Sequence, residues 1–115
     1  MASRVEEIDD INFEREVLGS NQPFLLDFSA SWCAPCRALQ PLIEELAEQL
    51  QGRLRVGKID LDSSPGVAAR FSVLGAPTLL LFRDGREAAR RIGLPSRKAL
   101  RELVERAYAD ARASA

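Results

Sequence analysis

Both cysteines of this 115-residue chain and its only tryptophan fall within seven residues, Ser31-Trp32-Cys33-Ala34-Pro35-Cys36-Arg37. The pattern changes across that stretch. Upstream, Phe24-Leu25-Leu26-Asp27-Phe28 is a short apolar run behind the turn-type residues Asn21-Gln22-Pro23, and it reads as a strand buried on both faces. Downstream, Leu39, Leu42, Ile43, Leu46, Ala47 and Leu50 recur at spacings of three and four, which predicts a helix. The cysteines therefore sit at a strand-to-helix junction. Pro35 suits the first turn of that helix, where its missing N–H would have had no partner.

Such a pair can form a reversible disulfide, supply half a metal site or act as a structural staple. Side chains at i and i+3 share a helix face, and a disulfide needs Cα atoms roughly 4.4–6.8 Å apart, so a helix start brings the bridge within reach. Structural zinc usually takes four Cys or His ligands. With two Cys and no His, no metal is expected. A staple over so short a loop would constrain little of the unfolded chain. Reversible exchange is favoured. Cys33, at the helix edge, would meet unpaired N–H groups and the positive end of the helix dipole, both of which favour the thiolate. Cys36, one turn further in, is expected to be less exposed. Cys33 is thus expected to attack and Cys36 to resolve.

The length suits one domain, residues 1–115, with a frayed tail expected over 110–115. An apolar fraction of 46% with 29% charged residues is that of a globular chain rather than a disordered one. A net charge of −1 sets up no field for nucleic acid or an anionic membrane. The N-terminus lacks the apolar core of a signal peptide, and no run reaches membrane-spanning length. A cytoplasmic location is expected, where a Cys-x-x-Cys is more often catalytic than structural. The absence of histidine removes His-based acid–base and triad chemistry.

Along the chain, Val5 and Ile8 suggest a short edge strand. Asp10 is expected to cap a helix carrying Phe13, Val17 and Leu18 and ended by Gly19. The strand at 24–30 leads into a helix to Leu50, with Pro41 inside it and a kink expected there. Beyond Gly52, residues 54–61 read as a strand, with Leu54, Val56 and Lys58 on one side and Ile59 and Leu61 on the other. Ser64 and Pro65 are expected as cap and first position of a short helix with Val67 and Phe71. A buried strand at 78–82, the turn signal Asp84-Gly85 and a more polar strand at 87–92 form a hairpin. Ser96 caps a last helix with Leu100, Leu103, Val104, Ala107 and Ala111 on one stripe. The expected fold class is α/β, a mixed central sheet sandwiched by helices. Its site would lie at the carboxyl end of the Phe24–Ala30 strand.

The odd residue in the first apolar run is Asp27. Burying an unpaired carboxylate is costly, so its pKa is expected to rise. Lys58 interrupts the Leu54/Val56 face and either pairs with Asp27 or snorkels to the sheet edge.

Trp32-Cys33-Ala34-Pro35-Cys36 behind a strand containing Asp27 resembles the thioredoxin family. So, in order, do Val56-Gly57-Lys58-Ile59-Asp60, Gly75-Ala76-Pro77-Thr78-Leu79-Leu80-Leu81-Phe82, Asp84-Gly85 and Gly93, a match running from Pro23 to Leu103. The resemblance implies a thioredoxin fold and reduction of protein disulfides by dithiol–disulfide exchange, as part of electron transport and cell redox homeostasis. It implies no bound cofactor, disulfide-containing protein substrates, and reducing equivalents from a flavoprotein thioredoxin reductase and NADPH. A monomer is expected. In this likeness Asp27 accepts the proton of Cys36 through water, against the alternative of a buried Asp satisfied by backbone or by Lys58. A cis bond precedes Pro77 and offers the Ala76 backbone to an extended substrate, against a trans proline at a strand start. Trp32 packs over the site or merely fills a gap. Gly75 and Gly93 admit a partner backbone, although Gly93 also suits a plain turn. Arg37 reads as a solvated charge beside the thiolate. Two departures stand out. Ala34, beside Pro35, replaces the more usual Gly and bears on the redox poise. Ser29 stands where an aromatic, often Trp, is common. The competing functions are a binding or assembly module whose exchange is incidental, and a disulfide oxidase.

Overall fold

A computed structural model describes residues 3–113, with side chains to Tyr108. A five-stranded sheet runs through the middle. Its strands are β1 (Glu6–Ile8), β2 (Phe24–Ser29), β3 (Arg55–Asp60), β4 (Thr78–Arg83) and β5 (Arg86–Ile92), in the order β1-β3-β2-β4-β5. β1, β3 and β2 are parallel, and β4 runs antiparallel to β2 and β5. The helices are α1 (Ala34–Gln49), α2 (Pro65–Arg70) and α3 (Arg97–Ala113). The rest of the terminal segment, where fraying is expected, lies outside the described residues.

β2 is central, and Phe24 to Phe28 are all buried, which is why the strand reads as continuously apolar. Alternation divides its side chains between two cores. Phe24, Leu26 and Phe28 join Phe13, Val17, Ile59, Val67, Leu80 and Phe82 on one face. There the rings of Phe13, Phe71 and Phe82 meet edge to face, with centroids 5.2–5.6 Å apart. Leu25 joins Leu39, Ile43, Val56, Leu79, Leu81, Leu100 and Leu103 on the other face, under α1 and α3. Asp27 and Ser29 continue that second face towards the end of the strand.

The expected elements are present, with local differences. Val5 lies just outside β1, and β2 stops at Ser29, one residue early. Instead of an ordinary helix, residues Glu14–Leu18 form one wide π-type turn, in which the Gly19 N–H donates to the Glu14 carbonyl at 2.9 Å. Asp10 does not cap it. The neighbouring Asp9 carboxylate accepts from the Ile11 and Asn12 N–H groups, at 2.9 and 2.8 Å. The Asp10 carboxylate crosses to α2 and accepts from Gly66 and Val67, both at 2.9 Å. Ser64 is the N-cap residue of α2 by position, but its side chain makes no cap bond, because Asp10 occupies that place. Pro41 lies inside α1. The hairpin turns at Asp84 and Gly85, both with positive φ, as a two-residue turn of the primed type requires. Ser96 Oγ accepts from Ala99 N–H at 3.0 Å at the head of α3.

Candidate active site

β2 delivers the chain to the head of α1, where Cys33 is the N-cap, still extended at φ −100° and ψ 107°. Ala34 and Pro35 start the helix, and Cys36 completes the first turn. The Cα atoms of Cys33 and Cys36 are 5.3 Å apart and the two sulfurs are bonded as a disulfide. The Cys36 N–H donates to Cys33 Sγ at 3.1 Å, so a backbone donor that an ordinary helix start leaves unpaired is aimed at one sulfur of the pair. The expected difference in exposure is absent: each cysteine is 3% exposed. Ala30 and Ala76 pack against the pair and cover Cys33 as well. What distinguishes the two sulfurs is the helix-start hydrogen bond, not solvent access.

Asp27 lies one step behind Ser29 on the same face of β2, between Lys58 on β3 and Leu79 on β4. It is fully buried, and among the described residues neither carboxylate oxygen has a hydrogen-bond partner. Burial pushes its pKa up to about 7, and the nearby Lys58 charge restrains the rise. Lys58 is half-buried and acts on Asp27 through its field. The direct contact expected of the pair does not form, since neither Asp27 oxygen is bonded.

A second loop meets the disulfide from the other side. The Ala76–Pro77 peptide is cis. Thr78 Oγ1 donates to the Gly75 carbonyl at 2.7 Å, and the Gly93 N–H donates to the Pro77 carbonyl at 2.9 Å, so the loops before β4 and after β5 are tied together. Gly93 has φ +86°, and a Cβ there would meet nothing within 4 Å. Backbone conformation, rather than lack of room, therefore calls for glycine at this position. Trp32 is 64% exposed, and its indole N–H donates to Asp62 Oδ2 at 2.9 Å. Ala34 and Pro35 are exposed. Arg37 is exposed too, but its guanidinium donates to the Ser31 carbonyl at 3.0 Å, so it braces the approach to the helix. Leu74, Ile92 and Leu94 add exposed apolar surface, Leu74 at 97%.

Cys33, Cys36, Asp27, Lys58, Trp32, Ala76, Pro77 and Gly93 are thus carried by the ends of β2, β3 and α1 and by the loops flanking β4 and β5. Two contacts were not anticipated from the sequence, that of the Asp62 carboxylate with Trp32 and that of the Thr78 hydroxyl with the Gly75 carbonyl. Thr78 carried a signal, a hydroxyl directly after the proline of a turn. Nothing local connects Asp62 with Trp32. Among the described residues, no three Cys, Asp or Glu side chains are grouped to hold a metal ion, and no helix is long and apolar enough to cross a membrane.

The thioredoxin family model matches residues 4–106. The thioredoxin of Acidithiobacillus ferridurans is 37% identical over 105 residues, covering 91% of this chain and 97% of that protein. The thioredoxin of Mycobacterium bovis is 43% identical over 99 residues, covering 85% of each. That of Rickettsia typhi is 36% identical over 102 residues, 89% of this chain and 97% of that protein. Likeness on this scale, with a bridged Cys-x-x-Cys at a strand-to-helix junction, means that the chain belongs to the thioredoxin family and is a thiol–disulfide oxidoreductase that reduces protein disulfides.

Proposed function

We propose that Cys33 is the attacking thiol, Cys36 the resolving thiol and Asp27 the proton acceptor between them. The observation that carries this assignment is the Cys36 N–H donated to Cys33 Sγ at the head of α1. In the dithiol the same donor and the helix dipole stabilise negative charge on Cys33. The Cys33 thiolate attacks one sulfur of the substrate disulfide, and the other substrate sulfur leaves as a thiolate and takes up a proton. Cys36 then passes its proton through water to Asp27 and attacks Cys33 Sγ. The second substrate thiolate departs, and two electrons have moved from the chain to the substrate. An acid titrating near 7 is suited to accept a proton in one half of the cycle and return it in the other. Lys58 tunes that acid. Trp32, Ala34, Pro35, Ala76, Pro77 and Gly93 form the surface that an extended substrate segment meets.

By family resemblance, the oxidised pair is restored by thioredoxin reductase, a flavoprotein drawing on NADPH, and the chain works as a monomeric single domain in a reducing cytoplasm. The test is a trap. Cys36→Ser incubated with a disulfide-bonded protein should accumulate a mixed disulfide that mass spectrometry maps to Cys33, and Cys33→Ser should accumulate none. Equal adduct yield on Cys36 in Cys33→Ser would overturn the assignment. Leu74, Ile92 and Leu94, which flank Gly75 and Gly93 in the chain, are exposed like Trp32, and this favours a second reading, in which the surface around Trp32, Ala76 and Gly93 holds partner proteins and exchange is incidental. A Cys33→Ser, Cys36→Ser double variant with undiminished cellular function would establish it.

A further inference from the structure

Asp60 ends β3 and starts the loop that leads to α2. Its Oδ1 accepts from the Asp62 N–H at 2.7 Å and from the Ser63 N–H at 3.1 Å. Its carbonyl accepts from the Ser64 N–H at 2.9 Å, while the Leu61 N–H goes to the Ser29 carbonyl at 2.9 Å. Three of the four N–H groups over residues 61–64 therefore end on Asp60. A short side-chain oxygen bonded to backbone two and three residues on is a turn that Asp and Asn form. Here it fixes the point from which the Asp62 side chain departs. Asp62 is exposed, and its Oδ2 takes the Trp32 indole N–H at 2.9 Å. Indole has a single donor, and a charged acceptor strengthens the bond. At 64% exposure, the ring is restrained by packing only in part. A large aromatic binds a partner best when its rotamer is already set, because ordering a side chain on association weakens binding.

We propose that Asp60 is a positioning residue for substrate binding: through the turn it closes and the Asp62 carboxylate beyond it, Asp60 holds the exposed Trp32 indole in place next to Cys33. This rests on Trp32 being part of the substrate surface, but the two fail separately. If Trp32→Ala leaves KM at the parent value, the surface is misassigned and the proposal falls with it. If Trp32→Ala raises KM but the indole is indifferent to Asp60, the surface stands and only the proposal falls. Asp60 also borders a groove of about 330 Å³ that Cys36 and Lys58 line, so its charge offers a competing route to the site. The variants below separate charge from geometry.

The experiment compares Asp60→Glu, Asp60→Asn and Asp62→Ala with the parent chain. Glu keeps the charge and moves the acceptor by one methylene. Asn loses the charge and keeps the acceptor. Trp32 is the only tryptophan, so fluorescence anisotropy of the reduced chain reports this ring alone. KM and kcat are measured on a disulfide-bonded protein. Asp60→Glu is expected to lower the anisotropy and to raise KM about two- to tenfold, the range for a side chain that must be ordered on binding, with kcat unchanged. Asp60→Asn should match the parent in all three. Asp62→Ala should behave as Asp60→Glu does, and the double variant should be no worse than Asp62→Ala alone, because Asp60 acts through Asp62. Should Asp60→Glu fail to fold, Asp60→Ala also lacks the turn and is expected to shift the same quantities in the same direction. Unchanged anisotropy or KM in a folded variant without the turn, equal losses in Asp60→Asn, or additive losses in the double variant would overturn the proposal.

Discussion

Asp27 is a carboxylic acid with no partner in a strand that is otherwise apolar. Its ordinary pKa of 3.8 is pushed to about 7 in the fold. Above 3.8 the unfolded chain releases this proton more readily than the folded one, so stability falls as pH rises and levels off beyond about 7. Between those limits the shift corresponds to a change on the order of 4 kcal/mol. The stability difference between Asp27→Ala and the parent should therefore move by up to that amount, in favour of the variant, between acid and mildly alkaline pH. Urea melts across that range measure it, and the comparison is insensitive to the small cavity the variant leaves, which does not depend on pH. A difference that stays flat would contradict the raised pKa. The same variant should exchange disulfides more slowly. Its oddity was legible in the sequence, because one charge in a five-residue apolar run has nowhere to hide. Its relation to Lys58 was only half legible. Parallel register brings the two side by side, but whether they touch depends on how each side chain leaves the sheet.

Where chemistry is local, the elements read out well. The apolar run of β2, the spacing of three and four in α1, the Asp84-Gly85 hairpin and the Ser96 cap all depend on neighbours within a few residues. Asp10 shows the limit. Its position before Phe13 suits a cap for the next segment, yet its carboxylate serves α2, 56 residues on, at Gly66. Asp10→Ala should cost about 1 kcal/mol, as loss of a helix cap does, and should speed amide exchange at Gly66 and Val67. Protection that stays unchanged at both amides would show that α2 does not depend on this cap. Gly57 makes the same point inside the sheet. A Cβ there would come within 2.8–2.9 Å of the Phe24 ring and Ile8, because β3 lies between β1 and β2 with buried side chains crossing over it. Gly57→Ala should cost about 1–3 kcal/mol by overpacking, measured as a lower denaturation midpoint. In the sequence this glycine could be taken for a weak point in a strand, since the ring that needs the space comes from another strand.

On the scale of the molecule, the sheet has two ends with different work. Beyond the carboxyl end of β2, the head of α1 carries the disulfide, with Asp27 behind it on the strand. The other end carries Arg55, whose guanidinium bonds the Glu6 and Glu16 carboxylates and the Glu16 carbonyl while lying 5.0 Å from the Phe24 ring centroid. It ties β1, the turn at Glu14–Leu18 and β3 together. Arg55→Met should lower stability by about 1–2 kcal/mol, the range for hydrogen bonds to charged groups discounted for partial exposure. Exchange activity per folded molecule should stay unchanged. A loss of activity without a loss of stability would mean that the two ends are coupled. The sandwich architecture and the side on which the site lies were legible from element order. The strand order was not, because insertion of β3 between β1 and β2 is decided by long-range pairing. The fully reduced chain, mixed with an excess of a disulfide-bonded protein, should release two substrate thiols per chain as its own Cys33–Cys36 bond forms, and Cys33→Ser should release none. Undiminished thiol release by Cys33→Ser, or substrate reduction that leaves the Cys33–Cys36 bond unformed, would contradict the account.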